Sequence, residues 1–222
     1  MRVGEFMVGT RKNDKPIGRE QVVAAMLEHA ADLFAERGPA ATSTRDIAAR
    51  AGINQALIFR HFGNKEQLVG AVLDDLAAKA AAARHAAGVD TTEPGITDAI
   101  AGVLLPGDPV DTAVTRTADR RHWQVLARAL LDGYPVGRLQ HQFPGMSELI
   151  DATRARLEDD TQARLAAANV VALVLGWHMF GPFLHSAAAM DEIPEPLIRH
   201  AIAAAATNVL DTAARTGIGE SG

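Results

Sequence analysis

Gly38, Gly52 and Gly63 divide residues 19–66 into one longer and two very short helical segments, and few folds are open to a chain punctuated so closely. From Arg19 to Arg37, Val22, Met26, Ala30, Leu33 and Phe34 recur with helical period. Gly38 and Pro39 stop that helix. Thr42 and Ser43 offer side-chain oxygens to cap a second helix, Thr44 to Ala51, which Gly52 ends after two turns. Asn54 has the chemistry of an N-cap for a third helix running to about His61. After Gly63, "NKEQ" (Asn64 to Gln67) has capping-box spacing, and a long helix should run from Lys65 to about Ala87.

The rest of the chain reads the same way. Helical segments are expected over 93–105, 118–132, 147–158, 162–187 and 195–214, separated by "PGDP", "GYP", "FPG" and "IPEP". No stretch alternates in the manner of a strand, and there is no internal repeat. The expected fold class is all-α. Its parts are a basic arm over 1–18, a compact helical unit over 19–66 and a larger helical unit over 67–222.

Two short helices joined by a glycine turn make a helix-turn-helix, whose second helix enters the DNA major groove. Ile47 and Ala48 should pack inward from the first of them. Leu57, Ile58 and Phe62 should do so from the second, leaving Gln55, Ala56, Phe59 and Arg60 turned partly outward. Gln55 can pair bidentately with adenine, and Ala56 is small enough to let the helix sit close to the bases. Arg60 suits a guanine or a phosphate, while Lys65 joins backbone N–H groups at a helix start, where phosphate is favoured.

Charge supports this only modestly. The formal net charge is −5, but residues 1–65 hold 10 Lys+Arg against 7 Asp+Glu and residues 66–222 hold 12 against 20, so the first part is net +3 and the second −8. Such asymmetry suggests that the two parts face different partners. Arg11, Lys12 and Lys15 of the arm have the charge to reach a DNA backbone, although a basic arm is more often simply solvated. With no cysteine, disulfides and thiolate metal sites are excluded. The N-terminus lacks the pattern of an export signal, so a cytoplasmic location is expected.

The stretch "AADLFAERGPAATSTRDIAARAGINQALIFRHFGNKEQLVGAVL", Ala30 to Leu73, resembles the N-terminal domain of the TetR family of bacterial transcription regulators. "LFAERG", "TSTRDIAARAGI", "FRHF" and "GNKEQL" carry the likeness in one order. The resemblance implies a three-helix DNA-binding domain, a long connecting helix and an all-helical domain that binds a ligand and dimerises. On that basis Thr44 and Lys65 fall on backbone-phosphate positions, and Gln55, Ala56 and Leu57 on base-facing ones. With Arg45, Asn54, Phe59, Arg60 and His61 they form the expected DNA-binding set. Phe59 stands where the family usually has tyrosine, and Ala56 and Leu57 replace a glycine and a small, often hydroxylated residue.

The second part is read on its own residues. Leu165 to Met190 contains no Asp, Glu, Lys or Arg, which is long enough for a membrane span. Yet Asn169, His178 and His185 are polar, and Gly181-Pro182 should interrupt the helix after Phe180. A helix buried inside protein explains the stretch better. Together with the last helix, striped by Ile198, Ile202, Ala205 and Val209, it is expected to pair with a second subunit, as the resemblance also implies. His122, Trp123, Tyr134, Phe143, Met146, Trp177, His178, Phe180 and Phe183 are the candidate ligand-binding residues, since effector pockets are mostly apolar with a few polar groups. No His pair has zinc-helix spacing and Ser186 lacks a nucleophile-elbow context, so no catalytic residue, metal or cofactor is expected. The resulting expectation is a homodimeric repressor, released from a two-fold site on double-stranded DNA by a small apolar or amphipathic molecule. The alternative is a small-molecule-binding or interaction protein of the same fold that no longer regulates DNA.

Overall fold

In the computed structural model, residues 18–86, 113–157 and 159–216 are described, the side chains of 113–119, 178, 199, 215 and 216 excepted. The arm with Arg11, Lys12 and Lys15, and the helix expected over 93–105, lie outside them. All regular structure among the described residues is helical: α1 (Arg19–Arg37), α2 (Thr44–Ala51), α3 (Gln55–Phe62), α4 (Lys65–Ala86), α5 (Ala113–Leu131), α6 (Val136–Leu139), α7 (Pro144–Arg154), α8 (Asp160–Ala187) and α9 (Glu195–Thr216).

Local chemistry places the first boundaries. Ser43 caps α2 reciprocally: its hydroxyl accepts from the Asp46 N–H and its own N–H donates to the Asp46 carboxylate, each at 3.1 Å. Gly52 ends α2 at φ 66°, ψ 30°, the left-handed conformation that glycine adopts without strain. The N–H of Ile53 reaches the Ala48 carbonyl at 3.0 Å and that of Gly52 reaches Ala49 at 3.3 Å, closing a Schellman turn. Asn54 caps α3 by accepting from the Ala56 N–H at 2.8 Å, and Asn64 accepts from the Gln67 N–H at the start of α4.

Helices α1, α2 and α3 pack in sequence, and α4 rests on α1 and α3 before running on to α5, α6 and α7. Met26, Phe34, Ile47, Ile58, Leu68, Val72 and Leu73 form one buried cluster, and Val125, Ala129 and Val136 from α5 and α6 belong to the same cluster. Leu57, Phe62 and Tyr134 pack against its margin. A second cluster joins α8 and α9 through Ala163, Val170, Val174, Ala206 and Leu210, with Trp123 against it. The alanines let these two helices approach closely. α6 is a single turn that the periodicity does not announce. Its backbone lies on α4 where Gly70 leaves room: a Cβ there would stand 2.2 Å from the Leu139 carbonyl oxygen.

One expectation needs correcting. Gly181-Pro182 does not interrupt α8, which continues to Ala187 with Pro182 inside it. Instead the arms Asp160–Trp177 and Met179–Ala187 meet at 65°. Proline has no N–H for the carbonyl four residues back, so the bend falls where that hydrogen bond is missing. Among the described residues no single helix is long and apolar enough to cross a membrane, and only the two arms of α8 taken together meet the criteria of length and composition.

Candidate DNA interface and effector region

α3 is anchored by one residue. Ile58 is fully buried, while Leu57 and Phe62 are half-buried at its sides. That leaves Asn54, Ala56, Phe59 and Arg60 exposed and Gln55 and His61 half-buried. Leu57, considered for the bases, is turned partly onto the core. Phe59 is 47% exposed, a large ring held in solvent by a helix whose opposite side is fixed.

The cations around α3 fall into two groups. Arg37 pairs with Asp46 at 2.9 Å, and Arg50 with Glu36 at 3.0 Å and Asp32 at 3.9 Å. These ties brace α1 against α2. The Ser43 N–H and hydroxyl, and behind them Arg37, hold the Asp46 carboxyl below its usual range, so it stays ionised in the cap. Arg45 and Arg60, both exposed, make no ion pair among the described residues. Lys65 has only a long contact, 3.5 Å, to the Ala40 carbonyl. Among the described residues around α3, the positive charge not tied up in an ion pair therefore includes Arg45 of α2, Arg60 of α3 itself and Lys65 at the start of α4.

Thr44 differs from its neighbours. It is buried, and its hydroxyl accepts a hydrogen bond from the Gln55 side-chain amide at 2.7 Å. Two residues of the expected DNA-binding set are thus joined to each other.

The turn leading into this unit is also held by the body of the protein. The Ala40 N–H donates to the Asp132 carboxylate at 2.6 Å, and the Arg121 guanidinium meets the Glu28 carboxylate at 2.6 Å, the Glu28 carbonyl at 2.7 Å and Asp32 at 3.0 Å. Arg121 is on α5 and Asp132 follows its last residue; both are far along the chain from their partners, and no local pattern in the chain announces them.

The candidate ligand residues do not gather in one place. His122 and Trp123 stack on α5 with ring centroids 5.0 Å apart, and His122 Nε2 is buried with no hydrogen-bond partner. Burial, and then the nearby Arg84, push its pKa down to about 4, so the ring is neutral at pH 7. Met146 is half-buried on α7, whose Glu148 meets the buried Arg84 at 3.5 Å. Arg84 was not among the candidates, but it falls on the buried stripe of Leu73, Ala77 and Ala80, a signal that a charged residue has been drawn inside. Tyr134 packs instead on the first cluster, Phe143 is exposed, and Trp177 packs on Ile198, Ile202 and Ala203. Phe180 and Phe183 are 55% and 68% exposed on the last arm of α8. The side chain of His178 lies outside the described residues.

A short helix held outward on a capped turn, with unpaired cations beside it and a helical body behind, defines a helix-turn-helix DNA-binding protein. The description "Bacterial regulatory proteins, tetR family" matches residues 26–72. Over 202 residues the chain is 47% identical to the HTH-type transcriptional repressor Rv3405c of Mycobacterium tuberculosis, spanning 91% of this chain and 96% of that one. It is 43% identical over 70 residues to the HTH-type transcriptional repressor KstR2 of Rhodococcus jostii, 30% of this chain and 34% of that one. A crystal structure of a TetR-family regulator from Streptomyces coelicolor aligns with a TM-score of 0.53 at 22% identity, covering 91% of this chain and 99% of that one. The chain belongs to the TetR family of bacterial transcription regulators.

Proposed function

We propose that this regulator is a cytoplasmic homodimer that binds a two-fold site on double-stranded DNA and leaves it when a small apolar or amphipathic effector binds. The interface consists of Thr44, Arg45, Asn54, Gln55, Ala56, Leu57, Phe59, Arg60, His61 and Lys65. The observation that carries this reading is the division of cations: Arg37 and Arg50 are spent on internal ion pairs, whereas Arg45, Arg60 and Lys65 make no ion pair among the described residues, Lys65 having only its long contact to the Ala40 carbonyl. Free cations bind phosphates by releasing counterions, and the exposed start of α3 can then face base edges. Reading would fall to residues 19–66 and dimerisation with effector binding to residues 67–222.

Dimerisation through α8 and α9 is supported by their unpaired apolar surface, which includes Leu165, Phe180, Phe183 and Leu197. An open groove of about 680 Å³ runs between them, lined by Leu165, Ala166, Asn169, Asn208 and Val209. Two recognition helices in such a dimer must sit about 34–36 Å apart to meet successive major grooves. An effector near His122, Trp123 and Met146 would act on α5, which carries Arg121 and leads directly into Asp132, and so on the turn before α2. It can shift the equilibrium only by its unequal affinity for the two arrangements.

Selection of genomic DNA fragments by the purified protein at two salt concentrations tests this. Enrichment of one two-fold-symmetric sequence, weakening steeply with salt, is the expected result. A folded protein that enriches nothing at either salt overturns the assignment of this face to DNA.

A further inference from the structure

The Thr44 and Gln55 contact says more about sequence reading than either residue does alone. A glutamine carboxamide is planar, so fixing one of its N–H groups fixes the direction of the carbonyl oxygen and of the second N–H. Here one N–H donates to the Thr44 hydroxyl at 2.7 Å. Thr44 opens α2 directly after the Ser43 cap, and its side chain is buried, so it cannot follow Gln55 as that residue moves. Gln55 is the first residue of α3, placed by the Asn54 cap, and it is half-buried. Both ends of the contact are therefore held by capped helices rather than by flexible loop.

The proton arrangement decides what Gln55 offers. When the amide donates to Thr44, the outward edge keeps one acceptor and one donor, the pair that matches adenine N6 and N7. Were the amide reversed, with Thr44 donating to its oxygen, the outward edge would carry two donors and would favour acceptor pairs such as guanine O6 and N7. The hydroxyl oxygen that accepts from Gln55 keeps its own proton free, and a phosphate oxygen nearby would hold that proton outward. A hydroxyl that accepts one hydrogen bond also donates more strongly to the next.

We propose that Thr44 is a positioning residue for base recognition: its hydroxyl sets the orientation of the Gln55 carboxamide and thereby the preference for adenine at the base pair Gln55 faces. This rests on the reading of α3 as the DNA-facing helix. It differs from a simple phosphate contact, which would affect all sequences alike.

The test is selection from a random-core double-stranded DNA library with the full-length protein and its Thr44→Ser, Thr44→Val and Gln55→Ala variants. Thr44→Ala serves as a second route to hydroxyl loss should Thr44→Val not fold. Gln55→Ala identifies the position that Gln55 reads. The expected result is that Thr44→Val loses preference at that same position, by about 5-fold or more, and keeps the others. Thr44→Ser should retain the preference, and the double variant Thr44→Val with Gln55→Ala should be no worse there than Gln55→Ala. Uniform weakening by Thr44→Val, with every base preference intact, overturns the proposal but leaves the DNA-facing assignment standing. If the unmodified protein selects no sequence, that assignment fails and the proposal with it.

Discussion

His122 is neutral because the fold makes charging it costly. Its pKa is about 4, against an ordinary 6.5, first through burial and then through Arg84. Between those values the unfolded chain takes up a proton that the folded chain refuses, so the contribution of His122 is fully present above about pH 6.5 and is lost as pH falls towards 4. Roughly 1.4 kcal/mol per pH unit implies a loss of about 3 kcal/mol in all. His122→Gln should flatten that part of the profile, as urea unfolding at pH 7 and pH 5 would measure; an unchanged slope would exclude His122 as its source. Phe59 offers a gain instead. Its exposed ring occupies the position where relatives of the family usually carry tyrosine, and Phe59→Tyr supplies a phenol O–H without disturbing the buried side of α3. A new hydrogen bond to a phosphate, worth about 1 kcal/mol, should tighten binding roughly 5-fold on every sequence alike. Gel-shift titration against a selected and an unrelated fragment would show whether both tighten.

At the scale of elements, glycine has opposite meanings at two places. In an exposed helix interior, alanine is better than glycine by about 1 kcal/mol. Gly70 is a helical residue too, but a Cβ there would meet the Leu139 carbonyl oxygen, so Gly70→Ala must push α6 away from α4. A net loss of about 2 kcal/mol or more is expected from thermal unfolding, the reverse of the propensity argument. The boundaries of α2, α3 and α4 were legible because they are set within a few residues, by Ser43 with Asp46, by Gly52 and by Asn54 and Asn64. α6 was not, because a single turn carries too little periodicity and its place depends on a backbone contact with α4. The proline in α8 is plain in the sequence, but it bends the helix and does not end it, because a long helix packed along α9 tolerates a bend more readily than an ending. In the interface, the direction of Ile58 could be read from spacing. The bond from Gln55 to Thr44 and the pairing of Arg37 and Arg50 could not, since they join different helices and only packing brings them together.

For the whole molecule, the decisive question is what covers the apolar face of α8 and α9. Phe183 is the most exposed aromatic side chain there, and Phe183→Glu would place a charge within the proposed subunit contact. Sedimentation should give twice the chain mass for the unmodified protein and the single mass for the variant. DNA affinity should then fall by a hundredfold or more, because the second reading helix is no longer delivered by the first. A variant that stays dimeric moves the contact elsewhere.

The buried cluster under α3 ends far along the chain, in Val125, Ala129 and Val136. A protein engineer cutting at residue 66 to borrow the reading head would leave Met26, Phe34 and Ile58 facing water where α4 and α5 had been. Such a fragment should be poorly soluble and lack a dispersed amide spectrum. Chimeras that exchange specificity between relatives must therefore graft the surface of α2 and α3, residue by residue, onto a resident core. What looks like an interchangeable head is a face carved on a shared block.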